Sequence, residues 1–231
     1  MKWIFTPSEP AGLPVVDQDA QFPVQRIFCV GRNYVEHAQE MGHSGREDPF
    51  FFCKPPHALV AVDNSGNSVM PYPSQTDDLH HEVELAVMLD KGGKDLSLEQ
   101  AIDAIYGYAI SLDMTRRDLQ AVAKKQGRPW ETGKAFDASA LIGPVHPKSQ
   151  TGELTQGQIA LYVNDQLRQQ GNLSQLIWNV AESIAYLSRF FTLQAGDVLM
   201  TGTPAGVGAV QKGDQMRAVI EGLGQIQVTV R

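Results

Sequence analysis

His80-His81-Glu82-Val83-Glu84-Leu85-Ala86-Val87-Met88-Leu89-Asp90 is the stretch on which the fold turns. Its apolar run, interrupted by Glu84 and closed by Gly92-Gly93, predicts a strand over 82–90. Side chains alternate faces along a strand, so Glu82 and Glu84 point one way while Val83 and Leu85 point the other. Two like charges roughly 6–7 Å apart repel, and a cation between them removes that cost. A solvated strand face that happens to carry two glutamates is the other reading of the same spacing.

Asp113 bears on that choice. It ends the apolar run Tyr108-Ala109-Ile110-Ser111-Leu112, where a carboxylate leaving a buried strand needs a partner. Three carboxylates with no cysteine nearby make a hard oxygen site, suited to Mg²⁺ or Mn²⁺. A zinc alternative would draw on His80 or His81 with Glu82. Adjacent histidines on a strand face opposite ways, so at most one joins, and magnesium is favoured.

Outward from this strand, the pattern is many strands with a few helices between them. Residues 1–25 read as a short strand and a connector, and 26–231 as one catalytic domain. Strands are expected at Ile27–Val30, Phe50–Cys53, Tyr108–Leu112, Val198–Thr201, Met216–Ile220 and Gln225–Val230. Asn164-Asp165 marks the turn of a hairpin. Ser97 with Gln100 forms a capping box, and Thr115 would cap a helix over 116–126 that stops at Gly127. Apolar residues at helical spacing predict the longest helix over 174–191, and a short helical turn over 34–41. The fold class is α+β, rich in β structure.

The chain has 231 residues, 42% apolar and 19% charged, as an ordinary globular protein does. Nineteen basic against 26 acidic residues give a net charge of −7, which argues against a nucleic-acid partner. Cys29 and Cys53 suggest neither a disulfide framework nor a zinc motif. No stretch approaches the roughly 20 apolar residues of a membrane helix, and the opening residues predict no secretory leader. A cytoplasmic location follows as the expectation.

Other segments carry chemistry. Arg116 and Arg117 follow Asp113, and an Arg fork beside a divalent cation suits an anionic substrate. Helix capping or pairing with Asp118 is the alternative for both, and the favoured one for Arg116. Lys134, next to Gly133, can hold a developing oxyanion or balance the glutamates. His37 and Glu40 are neighbours on a helical turn, where a carboxylate raises the basicity of an imidazole that activates water. The segment after them has the glycines of a lid. Thr201-Gly202-Thr203-Pro204-Ala205-Gly206 offers backbone amides and hydroxyls to an anion, or is a tight structural turn.

Together, CVGRNYVEHAQEMG (29–42), PFFFCKP (49–55), HHEVELAVML (80–89), DMTRRDLQ (113–120), GKAFDASALIGP (133–144) and TGTPAGVG (201–208) resemble the fumarylacetoacetate hydrolase family, in its order. The likeness is to the small acylpyruvase branch, with 2-hydroxyhepta-2,4-diene-1,7-dioate isomerases close by. It implies a mixed β-sandwich roll, a homodimer, a Mg²⁺ or Mn²⁺ site and a small 2-oxo or 2,4-dioxo carboxylate substrate. Carried over residue by residue, Glu82, Glu84 and Asp113 would be the metal ligands, Lys134 the enolate stabiliser, and His37 and Glu40 the water-activating dyad. Arg117, Gln120 and Thr203, with Arg32 beside them, would hold the substrate. Arg116 departs from the family pattern, where a small residue is common.

The implied reaction is metal-dependent C–C hydrolysis of acylpyruvates to pyruvate and a carboxylic acid. Oxaloacetate decarboxylation or tautomerisation and dienoate isomerisation share its enolate, and a non-catalytic binding protein is the remaining alternative. Phe50, Phe51, Phe52, Trp130 and Trp178 are interface or core aromatics.

Overall fold

The computed structural model describes residues 3–6, 9–35 and 46–231. Val83–Leu89 is a strand buried at every position. It lies inside an eight-stranded sheet, antiparallel to Asp197–Met200 on one side and to Ile105–Asp113 on the other. Arg26–Gly31 and then Phe50–Lys54 extend the sheet one way, and Ala140–Ile142 and Leu59–Ala61 the other. Parallel and antiparallel pairs both occur: Arg26–Gly31 runs parallel to Asp197–Met200, and Ala140–Ile142 parallel to Leu59–Ala61.

A second, five-stranded sheet is ordered Gln166–Asn172, Gln158–Val163, Gln215–Ile220, Gly224–Val230 and Asn67–Met70. Val83, Leu85, Val87, Ile110 and Leu112 from the first sheet share one core with Ile159, Leu161, Met216 and Ile220 from the second. The opposite face of the first sheet buries Ala86, Met88, Ala109, Val198 and Met200 beneath a hairpin, through its Leu13, Phe22 and Val24. Each fully buried Leu, Val or Met contributes roughly 1.5–3 kcal/mol. Covered on both faces, Val83–Leu89 is a near-continuous apolar run, and Glu84 is its one charged member. The solvated-face reading of the glutamates is thereby excluded.

Three segments depart from their expected form. Between 174 and 191 the α-helix is only Val180–Leu187, preceded by a 3₁₀ turn at Leu173–Gln175. Asn33 takes the Ile177 and Trp178 amides at 2.9 and 2.8 Å, so those donors are spent outside any helix. The helix then starts at Asn179, whose side chain accepts from Glu182 N. Among the described residues the longest helix is Arg117–Gln126, closed by Gly127 in the left-handed conformation. Thr115 does not cap it: Arg116 is the N-cap, and Thr115 is fully buried in a short strand paired with His80. Finally, Trp3, Ile4 and Phe5 are exposed and outside any strand, while residues 11–24 form the hairpin rather than a connector.

Candidate metal and oxo-acid site

The ends of Val83–Leu89 and Ile105–Asp113 bring Glu82, Glu84 and Asp113 together, each offering an oxygen within 4.8 Å of the others, all buried. Glu84 accepts Gly202 N at 2.8 Å and makes no salt bridge among the described residues. Burial, and then the Asp113 and Glu82 charges, push its carboxyl well above the usual range. Asp113 Oδ1 accepts no aligned hydrogen bond, although Lys54 Nζ lies 2.8 Å away. A buried, all-oxygen triad in which one carboxylate, Glu84, is paired to no cation among the described residues fits Mg²⁺ or Mn²⁺. Neither histidine joins it. His80 Nε2 meets Asp78 at 2.8 Å and His81 Nδ1 meets Gln169 at 2.9 Å, so the zinc alternative lacks its nitrogen ligand among the described residues.

Lys134 reaches this centre from a short helix, Glu131–Lys134, with Nζ 2.7 Å from both Glu82 Oε2 and Asp113 Oδ2. Burial works against its charge, but Asp113 and Glu82 prevail and raise its pKa above the ordinary lysine value. Arg117, at the start of its helix, donates to Glu82 Oε1 and to Gln120 Oε1, each at 2.5 Å. Gln120 Nε2 donates no hydrogen bond among the described residues. Arg116 lies apart, stacked 4.4 Å over Phe136 and donating to Thr132 O, so among the described residues its side chain makes neither the helix-capping bond nor the Asp118 pair expected of it.

The Gly202–Thr203 loop closes the opposite side. Gly202 has φ 98°, and a Cβ there would come within 2.8 Å of Asn33, so glycine is required. The Thr203 hydroxyl donates to Val83 O at 2.8 Å. Gln169, fully buried on the second sheet, accepts from Val83 N and His81 and donates to Thr203 Oγ1 and Pro204 O. One amide thus ties the carboxylate-bearing strand to the loop.

Arg32, Glu82, Glu84, Asp113, Arg117, Gln120, Lys134 and Thr203 all line one pocket, walled by Phe50, Phe52 and Trp130. His37 and Glu40 lie outside the described residues. Sequence reasoning missed Lys54 and Gln169. Lys54 had a signal: a lysine closing the apolar strand Phe50-Phe51-Phe52-Cys53 is buried and needs an anion. Gln169 had none, because its partners come from two distant segments, 81–83 and 203–204.

The family model described as fumarylacetoacetate (FAA) hydrolase C-terminal matches residues 26–231. A fumarylpyruvate hydrolase from Ralstonia sp is 47% identical, over 80% of this chain and 93% of its own. An oxaloacetate tautomerase from Escherichia coli (strain K12) is 42% identical, over 87% of this chain and 90% of its own. Among solved structures, fumarylpyruvate hydrolase from Pseudomonas aeruginosa in complex with Mn²⁺ and pyruvate is 51% identical, with a TM-score of 0.97 and 99% of each chain covered.

Proposed function

The chain belongs to the fumarylacetoacetate hydrolase family, and from that premise we propose that it hydrolyses the C3–C4 bond of 2,4-dioxo acids to pyruvate and a carboxylic acid. The observation that carries this reading is Lys134 Nζ placed 2.7 Å from two carboxylates of a buried triad, in the pocket that Arg117, Gln120 and Thr203 also line. Relatives named fumarylpyruvate hydrolase support it.

Glu82, Glu84 and Asp113 would hold Mg²⁺ or Mn²⁺, which supplies Lewis-acid polarisation of the substrate's 2-oxo group. Arg117 and the free amide nitrogen of Gln120 would orient the 1-carboxylate. The Thr203 hydroxyl proton is spent on Val83 O, so Thr203 would contribute its backbone amide instead. His37, with Glu40 beside it, would take a proton from water as the water oxygen bonds to C4. The C3–C4 bond then breaks, and its electron pair becomes an enolate whose C2 oxygen Lys134 stabilises. A proton delivered to C3 completes pyruvate, and the acyl group leaves as the acid.

A second reading has its own support: relatives named oxaloacetate tautomerase or decarboxylase. That chemistry needs the enolate-stabilising groups and no attacking water. The deciding experiment offers metal-stripped protein acetylpyruvate and oxaloacetate separately, with and without Mg²⁺ or Mn²⁺. Metal-dependent release of acetate, lost in His37→Ala, is the expected outcome. Turnover of oxaloacetate alone, surviving His37→Ala, would transfer the assignment to the second reading.

A further inference from the structure

We infer that Gln169 is a positioning residue for the metal site: its amide, closed into a ring with the Thr203 hydroxyl, holds the peptide units joining Glu82 to Glu84 in the orientation a divalent cation needs. The inference rests on the triad being a cation site and is independent of which oxo-acid reaction follows.

The large sheet opens at this point. Asp197–Met200 pairs with Val83–Leu89 only from Met88 to Ala86, and Thr201 N still reaches Leu85 O at 3.0 Å. Beyond Thr201 the chain leaves the sheet as the Gly202–Thr203 loop, and the loop and both glutamates line the pocket. On the other edge Asp113 N donates to Glu82 O at 2.8 Å. Backbone groups alternate sides along a strand, so Val83 turns its N–H and C=O to the side from which the partner strand has departed. Buried there, both need partners.

Two side chains supply them. Val83 N donates to Gln169 Oε1 at 3.0 Å, Gln169 Nε2 to Thr203 Oγ1 at 2.7 Å, and the Thr203 hydroxyl to Val83 O at 2.8 Å. These bonds close on themselves. Val83 N belongs to the peptide unit coming from Glu82, and Val83 O to the unit leading to Glu84, so the ring fixes both planes between the two ligands. Groups that orient ligands from behind govern metal affinity without touching the metal. Further bonds of the same amide, to His81 Nδ1 and Pro204 O, leave it a single orientation.

An irregularity aims Gln169 inward. Its strand pairs Gln169 with Leu161 but Leu167 with Tyr162, so Arg168 is the extra residue of a β-bulge. In a regular strand Leu167 and Gln169 would share a face. Here Leu167 is 49% exposed and Gln169 0%. The loop is fitted to the same bulge: Gly206, at φ 90°, leaves no room for a Cβ against Arg168 O, and a Cβ on Gly171 would come within 2.9 Å of Pro204.

The test titrates Mn²⁺ into the metal-free full chain and follows electron paramagnetic resonance, which reads both affinity and the symmetry around the bound ion. Urea unfolding is measured in parallel. Gln169→Met keeps the length of the side chain and removes its hydrogen bonds, while Thr203→Val keeps the shape and removes the hydroxyl. Gln169→Met is expected to weaken Mn²⁺ binding about 10- to 100-fold and to broaden the spectrum of the bound ion. Thr203→Val should weaken binding less, in the same sense. The double variant should bind as Gln169→Met does, because either change opens the ring. A folded Gln169→Met that is less stable, yet binds Mn²⁺ with wild-type affinity and spectrum, overturns the inference, since the amide then serves the fold alone. If Gln169→Met does not fold, Thr203→Val decides: wild-type affinity there overturns the inference, and a weaker, broadened site upholds it. Losses that simply add in the double variant overturn it too. A wild type that binds no Mn²⁺ removes the cation site and the inference with it, whereas wild-type binding without turnover of any oxo acid counts against the hydrolase reading alone.

Discussion

His81 shows how a single buried ring serves a site it does not enter. Its Nδ1 donates to Gln169 Oε1, which also accepts Val83 N, the amide between the two glutamates. Burial pushes the ring down to about 4, with the Gln169 hydrogen bond only partly opposing that. In the unfolded chain the same ring titrates near about 6.5, so below that pH the unfolded state binds the proton first. The contribution of neutral His81 is therefore fully present above about pH 6.5 and lost as pH falls toward 4, to the extent of roughly 3 kcal/mol. Asparagine can place its amide nitrogen near the position of Nδ1. Urea unfolding of His81→Asn between pH 7 and 4 is expected to show a shallower acid loss than wild type. Parallel curves for the two proteins would mean that the ring is not held neutral.

At the scale of elements, what the sequence made legible followed local rules. The alternation in 80–90 placed a strand, Ser97 and Gln100 formed their capping box, and Gly127 ended its helix. The Asn164-Asp165 turn joins its two strands with φ values of 50° and 62°, as a two-residue hairpin requires. What was not legible depended on partners far away in the chain. The helix expected over 174–191 lost its first turns because Asn33, more than 140 positions earlier, claims the Ile177 and Trp178 amides. Thr115 carries the hydroxyl that a cap needs, but pairing with the His80 strand draws it inward. The carboxylate triad was readable because alternation and strand ends are local, whereas Gln169 belongs to another sheet. The hairpin turn also yields a prediction. Asp165 pays backbone strain in the left-handed region, and its contact with Arg217 is a 3.9 Å pair with Asp165 almost fully exposed. Asp165→Gly is expected to raise stability by about 0.5–1 kcal/mol, read as a higher urea midpoint with an unchanged slope. A lower midpoint would show that glycine's added freedom in the unfolded chain outweighs the relieved strain.

For the whole molecule, the site is a charge problem that the fold leaves partly unsolved. Two sheets and a hairpin bury Val83–Leu89 on both faces, and Glu84 goes in with it without a salt bridge among the described residues. Its folded pKa is raised, first by burial and then by Asp113 and Glu82, so the stability linked to its protonated form is fully present below about pH 4.3. That stability is lost as pH rises through the folded value. At pH 8 in EDTA, Glu84→Gln should therefore unfold at a higher temperature than wild type, by on the order of 2 kcal/mol. The gap should close as the pH is lowered toward 4. A divalent cation bound to the folded triad and not to the unfolded chain should reverse the order. At a hundredfold excess over its dissociation constant, Mn²⁺ should stabilise wild type by about 2.7 kcal/mol, or roughly 5–10 °C for a chain of this size. Glu84→Gln, short of one carboxylate, should show little of that shift. Thermal scans of both proteins, with EDTA and with Mn²⁺, make a four-way comparison in which the sign of the difference changes with the metal. If wild type is the more stable of the two in EDTA as well, Glu84 is stabilised by the fold alone, and the triad is not waiting for a cation.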